Sequence, residues 1–96
     1  MTKVKEEGIC PIQKLMKTLS STWVMLILRE LMTSSKRFCE LEKALVGIST
    51  RTLTLKLKYL QEESIVEHAD HYYSLTKKGV RLRSILKEME KVGESF

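Results

Sequence analysis

Thr50, Arg51, Thr54, Lys56 and Lys58 fall within nine residues of one another, and no acid intervenes between Ser49 and Leu60. The side-chain types suit double-stranded DNA. An arginine can hold a guanine edge through two hydrogen bonds. A threonine can hydrogen-bond to a base or a phosphate, and its methyl can meet a thymine methyl. A lysine neutralises phosphate charge. An acid on the same surface would repel the backbone, and the first to appear is Glu62.

Spacing decides whether these groups share a face. At 100° per residue, Leu53, Leu57 and Leu60 fall within about 60° of one another and point to a core. Arg51, Leu55, Lys58 and Glu62 lie opposite, with Thr54 beside them. Thr50 and Arg51 stand at the N-terminal end, the part of a second motif helix that enters the major groove. Leu55 is unusual on an outer face; it meets a thymine methyl there or marks a different packing. For an arbitrary helix, a solvated face that happens to lack acids is the plainer reading. The neighbouring elements favour recognition.

Those elements follow from caps and periodicity. Residues 1–9 read as a polar, frayed tail, and residues 10–96 as one domain. Pro11 suits the first turn of a helix. Ile12, Leu15, Met16 and Leu19 then recur at helical spacing. A second helix over about Thr22 to Met32 is apolar on nearly every side, as expected of a central pillar surrounded by protein. "KRF" at 36–38 allows a very short strand. Phe38, Leu41 and Leu45 mark a short helix, and Gly47 is expected as its C′ residue. Ser49 is the expected N-cap of the next helix, about Thr50 to Glu63. Two helices joined by a tight glycine turn are the sign of a helix-turn-helix. Ile65 and Val66, then Tyr73 and Leu75, predict a hairpin about a polar "HADH" turn. Thr76 is expected to cap a final long helix striped by Leu82, Ile85, Leu86, Met89 and Val92. The fold class is mostly α with a small β-hairpin, a winged helix-turn-helix.

Composition bounds the rest. Ninety-six residues make one small domain with a thin core, which pairing with a second copy would reinforce. A hydrophobic content of 43% is too high for a disordered chain. The net charge of +5 favours a polyanionic partner. "WVMLIL" is far short of a membrane span, and "MTKVKEEG" has no apolar signal region, so no membrane role is expected and the chain reads as cytoplasmic. There is no Gly-rich phosphate loop and no nucleophile–base constellation, so an enzyme is not expected. His68 and His71 lack zinc-finger spacing and read as surface histidines, with no metal and no cofactor expected. Cys10 and Cys39 form no CxxC and read as free thiols, Cys39 as a packing residue.

Several segments together resemble the HxlR-type winged-helix transcriptional regulators, relatives of the MarR group. They are "CPI" at 10–12, "WVMLILRELM" at 23–32, "KRFCELEKAL" at 36–45, "GISTRTLTLKLKYLQEESIVE" at 47–67 and "YSLTKKG" at 73–79. The resemblance implies a homodimer on a roughly palindromic operator, with one recognition helix per major groove. By that match Ser49, Thr50, Arg51, Thr54, Leu55 and Lys58 face DNA, and Lys36 and Arg37 contact phosphates. The terminal helices build the dimer, through Ile12, Leu15, Met16 and Leu19 and through Leu82, Ile85, Leu86, Met89 and Val92. Some members of the family sense oxidants or electrophiles through a cysteine just before this proline, which makes Cys10 the candidate sensor and an oxidant or small molecule a candidate effector. Sensing of this kind needs a thiolate and solvent access.

Two departures stand out. The hairpin loop is shorter than the family's usual one, leaving His68, His71 and Tyr72 at its tip, with His71 the candidate DNA contact. Cys39 stands where a polar residue is common. The rival reading is a winged helix used for protein interaction or dimerisation without specific DNA binding, since fold alone does not fix function. A protein-docking face should be more apolar than one bearing Arg51, Thr54 and Lys58.

Overall fold

A computed structural model describes residues 10–96; the expected tail, residues 1–9, lies outside them. The chain runs α1 (Pro11–Leu19), α2 (Thr22–Thr33), β1 (Lys36–Arg37), α3 (Phe38–Ala44) and α4 (Thr50–Glu62). It continues through β2 (Val66–Ala69), β3 (Tyr72–Leu75), α5 (Lys77–Val80) and α6 (Arg83–Glu94). The three strands form one antiparallel sheet in the order β1-β3-β2. This is the expected winged helix-turn-helix order, and the two-residue strand at Lys36–Arg37 becomes the sheet's third member.

The core gathers the inward face of each helix. Val24, Ile27 and Leu28 of α2 meet Leu41 of α3 and Leu53, Leu57 and Leu60 of α4, all essentially without solvent contact. α2 packs against α1, α3, α4 and β3, which makes it the central helix. It is not enclosed all round, however. Thr22, Arg29 and Thr33 are exposed, and Trp23, Met25, Leu26 and Met32 are only half-buried. One protomer is too small to cover every side of it.

The turn that aims α4 is built from local bonds. Leu45 closes α3 through its N–H to Leu41 O at 2.9 Å, and Ile48 N–H returns to Leu45 O at 3.1 Å. Gly47 has φ +93°, which that turn requires and an L side chain resists. Since Leu45 is the C-cap, Gly47 lies one residue beyond the expected C′ position. Ser49 then caps α4, its Oγ accepting from Thr52 N–H at 3.0 Å. The far end of α4 closes as a Schellman motif: Ile65 N–H reaches Leu60 O at 2.9 Å, and Ser64 N–H reaches Gln61 O at 3.0 Å. Ser64 takes the left-handed position at φ 60°.

Two expectations change at the C-terminal end. "HADH" is not a four-residue turn: His68 and Ala69 belong to β2, and only Asp70 and His71 connect the strands. Both have positive φ, 52° and 69°, as a two-residue type I′ turn demands of strands with a right-handed twist. Nor does Thr76 open one long helix. It caps the single turn of α5, accepting from Gly79 N–H at 3.1 Å, and α6 begins only at Arg83. Thr76 is also held to the segment that joins α4 to β2, its hydroxyl donating to Ser64 O at 2.5 Å and its N–H to Ile65 O at 3.0 Å.

α5 rests directly on that backbone. A Cβ at Gly79 would stand 2.3 Å from Ile65 O. Gly79→Ala should therefore destabilise the fold by about 1–3 kcal/mol, because overpacking against a fixed carbonyl outweighs the ~1 kcal/mol gain in helix propensity. The urea midpoint at unchanged m-value measures this; an unchanged midpoint would mean that α5 shifts away at no cost.

Candidate nucleic-acid interface

From its first residue to its third turn α4 presents an exposed band of Thr50, Arg51, Thr54, Leu55 and Lys58, while Leu53, Leu57 and Leu60 anchor the opposite side. The two faces of one helix thus divide the work: three leucines fix its orientation and the other side is left to solvent. Lys56 does not join the band. It is half-buried and points more than 100° away from both Arg51 and Lys58.

The hydroxyls of the band are already engaged. Ser49 is committed to its cap, its Oγ donating to Thr52 Oγ1 at 2.9 Å as well. Thr54 Oγ1 donates to Thr50 O at 2.8 Å, and Thr50 Oγ1 donates to a Glu42 carboxylate oxygen. Arg51 and Lys58 are therefore the polar groups of the band free of intramolecular bonds among the described residues. Glu42 also qualifies the acid-free character of this surface. No acid lies along α4 before Glu62, but the turn brings one from α3 to its first residue. Nothing in the spacing within α4 signals that contact.

The second group of candidates sits at the sheet. β1 pairs Lys36 with Tyr73 and Arg37 with Tyr72 across β3, which places both basic residues beside the turn end of the hairpin. Lys36 Nζ donates to Thr33 Oγ1 at 3.1 Å and to Ser34 Oγ at 2.8 Å. Arg37 lies over the Tyr72 ring at 5.1 Å, and its backbone N–H donates to Glu40 Oε1 at 2.8 Å, starting α3. Hydrogen bonding to Tyr72, then its charge, raises the Arg37 pKa above its ordinary value. The guanidinium is exposed and its pose set by an aromatic platform that sequence reasoning did not assign. His68 stacks on Tyr73 with centroids 4.0 Å apart and rings 5° from parallel. Burial pushes the Tyr73 phenol up.

Cys39 is exposed, contrary to the packing role expected of it, because α3 turns Phe38 and Leu41 to the core and leaves Cys39 on its outward side. With Arg37, His68 and His71 it borders an open hollow of about 510 Å³ beside the turn end of the hairpin. The only advance sign of that grouping was the two-residue strand that ties α3 to β3. Among the described residues no three His, Cys, Asp or Glu side chains are grouped to hold a metal ion.

His71 occupies the second position of the I′ turn, where glycine is the favoured residue. His71→Gly should stabilise the hairpin by about 1 kcal/mol. If the imidazole contacts DNA, the same change should weaken binding. Thermal melts and duplex titrations read the two effects separately, and unaltered DNA affinity would remove His71 from the interface.

The terminal helices divide the expected dimer residues into two sets. Leu19, Leu82 and Leu86 are buried in the protomer's own core, and Leu15 packs on it, so they hold α1 and α6 in place. Ile12, Met16, Ile85, Met89 and Val92 stay exposed, with Ile12 at 70%. Cys10 is half-exposed at the N-cap of α1, its carbonyl accepting from Lys14 N–H at 3.0 Å. No described helix is long and apolar enough to cross a membrane.

Comparison with known proteins places this geometry. The family model for the HxlR-like helix-turn-helix matches residues 18–96. The HTH-type transcriptional regulator sll1512 of Synechocystis sp. is 38% identical, over 92% of this chain and 70% of its own length. Among solved structures, quinone-bound YodB of Bacillus subtilis superposes with a TM-score of 0.84 at 34% identity, covering 91% of this chain and 100% of that one. The redox regulator HypR in its oxidized form gives a TM-score of 0.84 at 30% identity, over 91% and 97% of the two chains.

Proposed function

Because this chain belongs to the HxlR-like helix-turn-helix family of transcriptional regulators, we propose that it acts as a homodimer that binds a roughly palindromic operator through α4. Residues 10–96 serve as one unit that reads DNA and dimerises. Arg51 reads a base edge, Lys58 holds a phosphate, and the methyls of Thr50 and Thr54 with Leu55 line the groove. Arg37 and His71 reach the backbone beside the hairpin. The protein works by binding rather than by catalysis, in the cytoplasm where its operator lies.

The observation that carries this reading is the exposed Arg51–Lys58 band that starts at the N-terminal end of a helix anchored by three buried leucines. Leu55, 52% exposed in the middle of that band, is the one feature that favours a protein-docking face instead. Selection of bound duplexes from a random pool, in moderate salt, separates the two. A two-fold-symmetric motif with half-sites about one helical turn (~10 bp) apart, or a multiple of it, supports the operator reading. Absence of any enriched motif, with the protein folded and dimeric, favours protein docking.

The thiol arm of the proposal rests on Cys10. It stands half-exposed at a helix N-terminus, and the structural relatives include a redox regulator in its oxidized form and a quinone-bound protein. A thiol oxidant should lower operator affinity, and Cys10→Ser should abolish that response while Cys39→Ser keeps it. Retention of the response in Cys10→Ser would assign sensing elsewhere.

A further inference from the structure

Away from the DNA-facing band, a cleft of about 940 Å³ opens between α1, the C-terminal end of α4 and α5. Its size is that of a small-molecule site. Leu15, Ile65 and Leu82 give it an apolar floor, the last two part of the protein core. Its polar lining is lopsided: Lys14, Lys17, Lys78 and Arg81 stand against one acid, Glu63. Lys78 is used internally, its Nζ donating to Glu63 O at 2.8 Å at the negative end of the α4 dipole. Lys14, Lys17 and Arg81 pair with no carboxylate among the described residues, where the one ion pair is Lys91–Glu88.

A second feature points into the same space. Thr18 Oγ1 and Tyr59 Oη are hydrogen-bonded at 2.9 Å, joining α1 to α4 in the cleft wall. Thr18 is buried, at 5% exposure. Each hydroxyl carries one proton, and their mutual bond uses only one of the two. The pair therefore keeps a donor with no other partner among the described residues. A spare O–H, three unpaired cations and an apolar floor together match one kind of ligand.

We infer that this cleft binds a small organic anion, a carboxylate on an aromatic or short aliphatic body. The carboxylate meets Lys14, Lys17 and Arg81 and accepts from the hydroxyl pair, while the body covers Leu15 and Ile65. α1 carries part of the proposed dimer surface and α4 the proposed base-reading surface. A ligand between them changes how the two are held together, and so operator affinity. That regulatory half rests on the function proposed above; the binding half does not.

The test titrates the 15N-labelled full chain with 2-naphthoate and with its neutral counterpart, 2-naphthamide. Expected are saturable amide shifts at Leu15, Thr18, Tyr59 and Arg81, with the naphthamide at least about tenfold weaker. The exposed pair Lys14→Ala/Arg81→Ala should weaken naphthoate by about tenfold and leave naphthamide unchanged. Shifts confined to Ile85, Met89 and Val92, equal affinity for the two compounds, or no saturable shift up to about 10 mM would overturn the site. Saturating naphthoate should then alter operator affinity in the wild type and not in the double variant. Naphthoate binding without that change removes the regulatory half alone. Naphthoate binding by a protein that selects no DNA motif leaves the site standing and removes the operator reading.

Discussion

Arg51→Ala should weaken binding to the best operator by about 1–3 kcal/mol, roughly 5- to 150-fold, and relax the preference at one base position. The expectation follows from what the residue does not do in the protein. It is exposed and makes no intramolecular hydrogen bond or ion pair among the described residues, so truncation takes nothing from the fold. The neighbouring hydroxyls of Ser49, Thr50 and Thr54 are bound to Thr52, Glu42 and the Thr50 carbonyl, which leaves the guanidinium as the main carrier of base specificity in the band. Lys58→Ala provides the contrast. A phosphate contact weakens all sequences alike and lowers the salt slope by about one counterion. Repeating the duplex selection with each variant, and titrating at several salt concentrations, distinguishes loss of a base contact from loss of a charge. Equal affinity of Arg51→Ala and wild type for the selected operator would mean that α4 does not enter the groove by this end.

Glu42 adds a condition to that experiment. Its carboxylate receives the Thr50 hydroxyl at the first residue of α4, where a DNA phosphate would also be drawn. The contact fixes the turn, yet it brings negative charge close to the proposed groove surface. This pairing across the turn was invisible in the sequence, since positions 42 and 50 belong to different helices. Periodicity, by contrast, made the faces of α4 legible, because burial on one side of a helix leaves a 3.6-residue trace. The caps at Ser49 and Thr76 were legible for the same kind of reason: a side-chain acceptor just before a helical run has a local function. What sequence missed came from contacts distant along the chain. The β1–β3 pairing exposed Cys39 beside the hairpin, Arg37 settled on Tyr72, and the one-turn α5 was fixed by Gly79 against the Ile65 carbonyl. The short hairpin turn was misjudged because Asp and His rarely both hold positive φ.

A larger loss is expected from Ile85→Glu/Met89→Glu. The two side chains lie one turn apart on α6, 39% and 47% exposed, beside Val92 at 53%. Leu82 and Leu86, from the same apolar stripe, are in the core, so the stripe divides into an inner edge that holds α6 and an outer edge with nothing over it. Charges on the outer edge leave the protomer's packing intact; buried between two copies, they are costly. The double variant should therefore be a folded monomer, with unchanged helical signal and a molar mass near 11.2 kDa by light scattering. Two linked recognition helices bind two half-sites with a gain of about 10²–10⁴ over either alone. Operator affinity should fall by that factor, while affinity for an isolated half-site is unaltered. Truncating Leu86 instead would not test the point, because a cavity of that kind costs about 2–5 kcal/mol and unfolds a small domain along with any dimer. If the charged variant stays dimeric, the copies meet elsewhere. The exposed Ile12 and Met16 of α1, or the half-buried Met25, Leu26 and Met32 left uncovered on α2, are then the surfaces that a second protomer would have to cover.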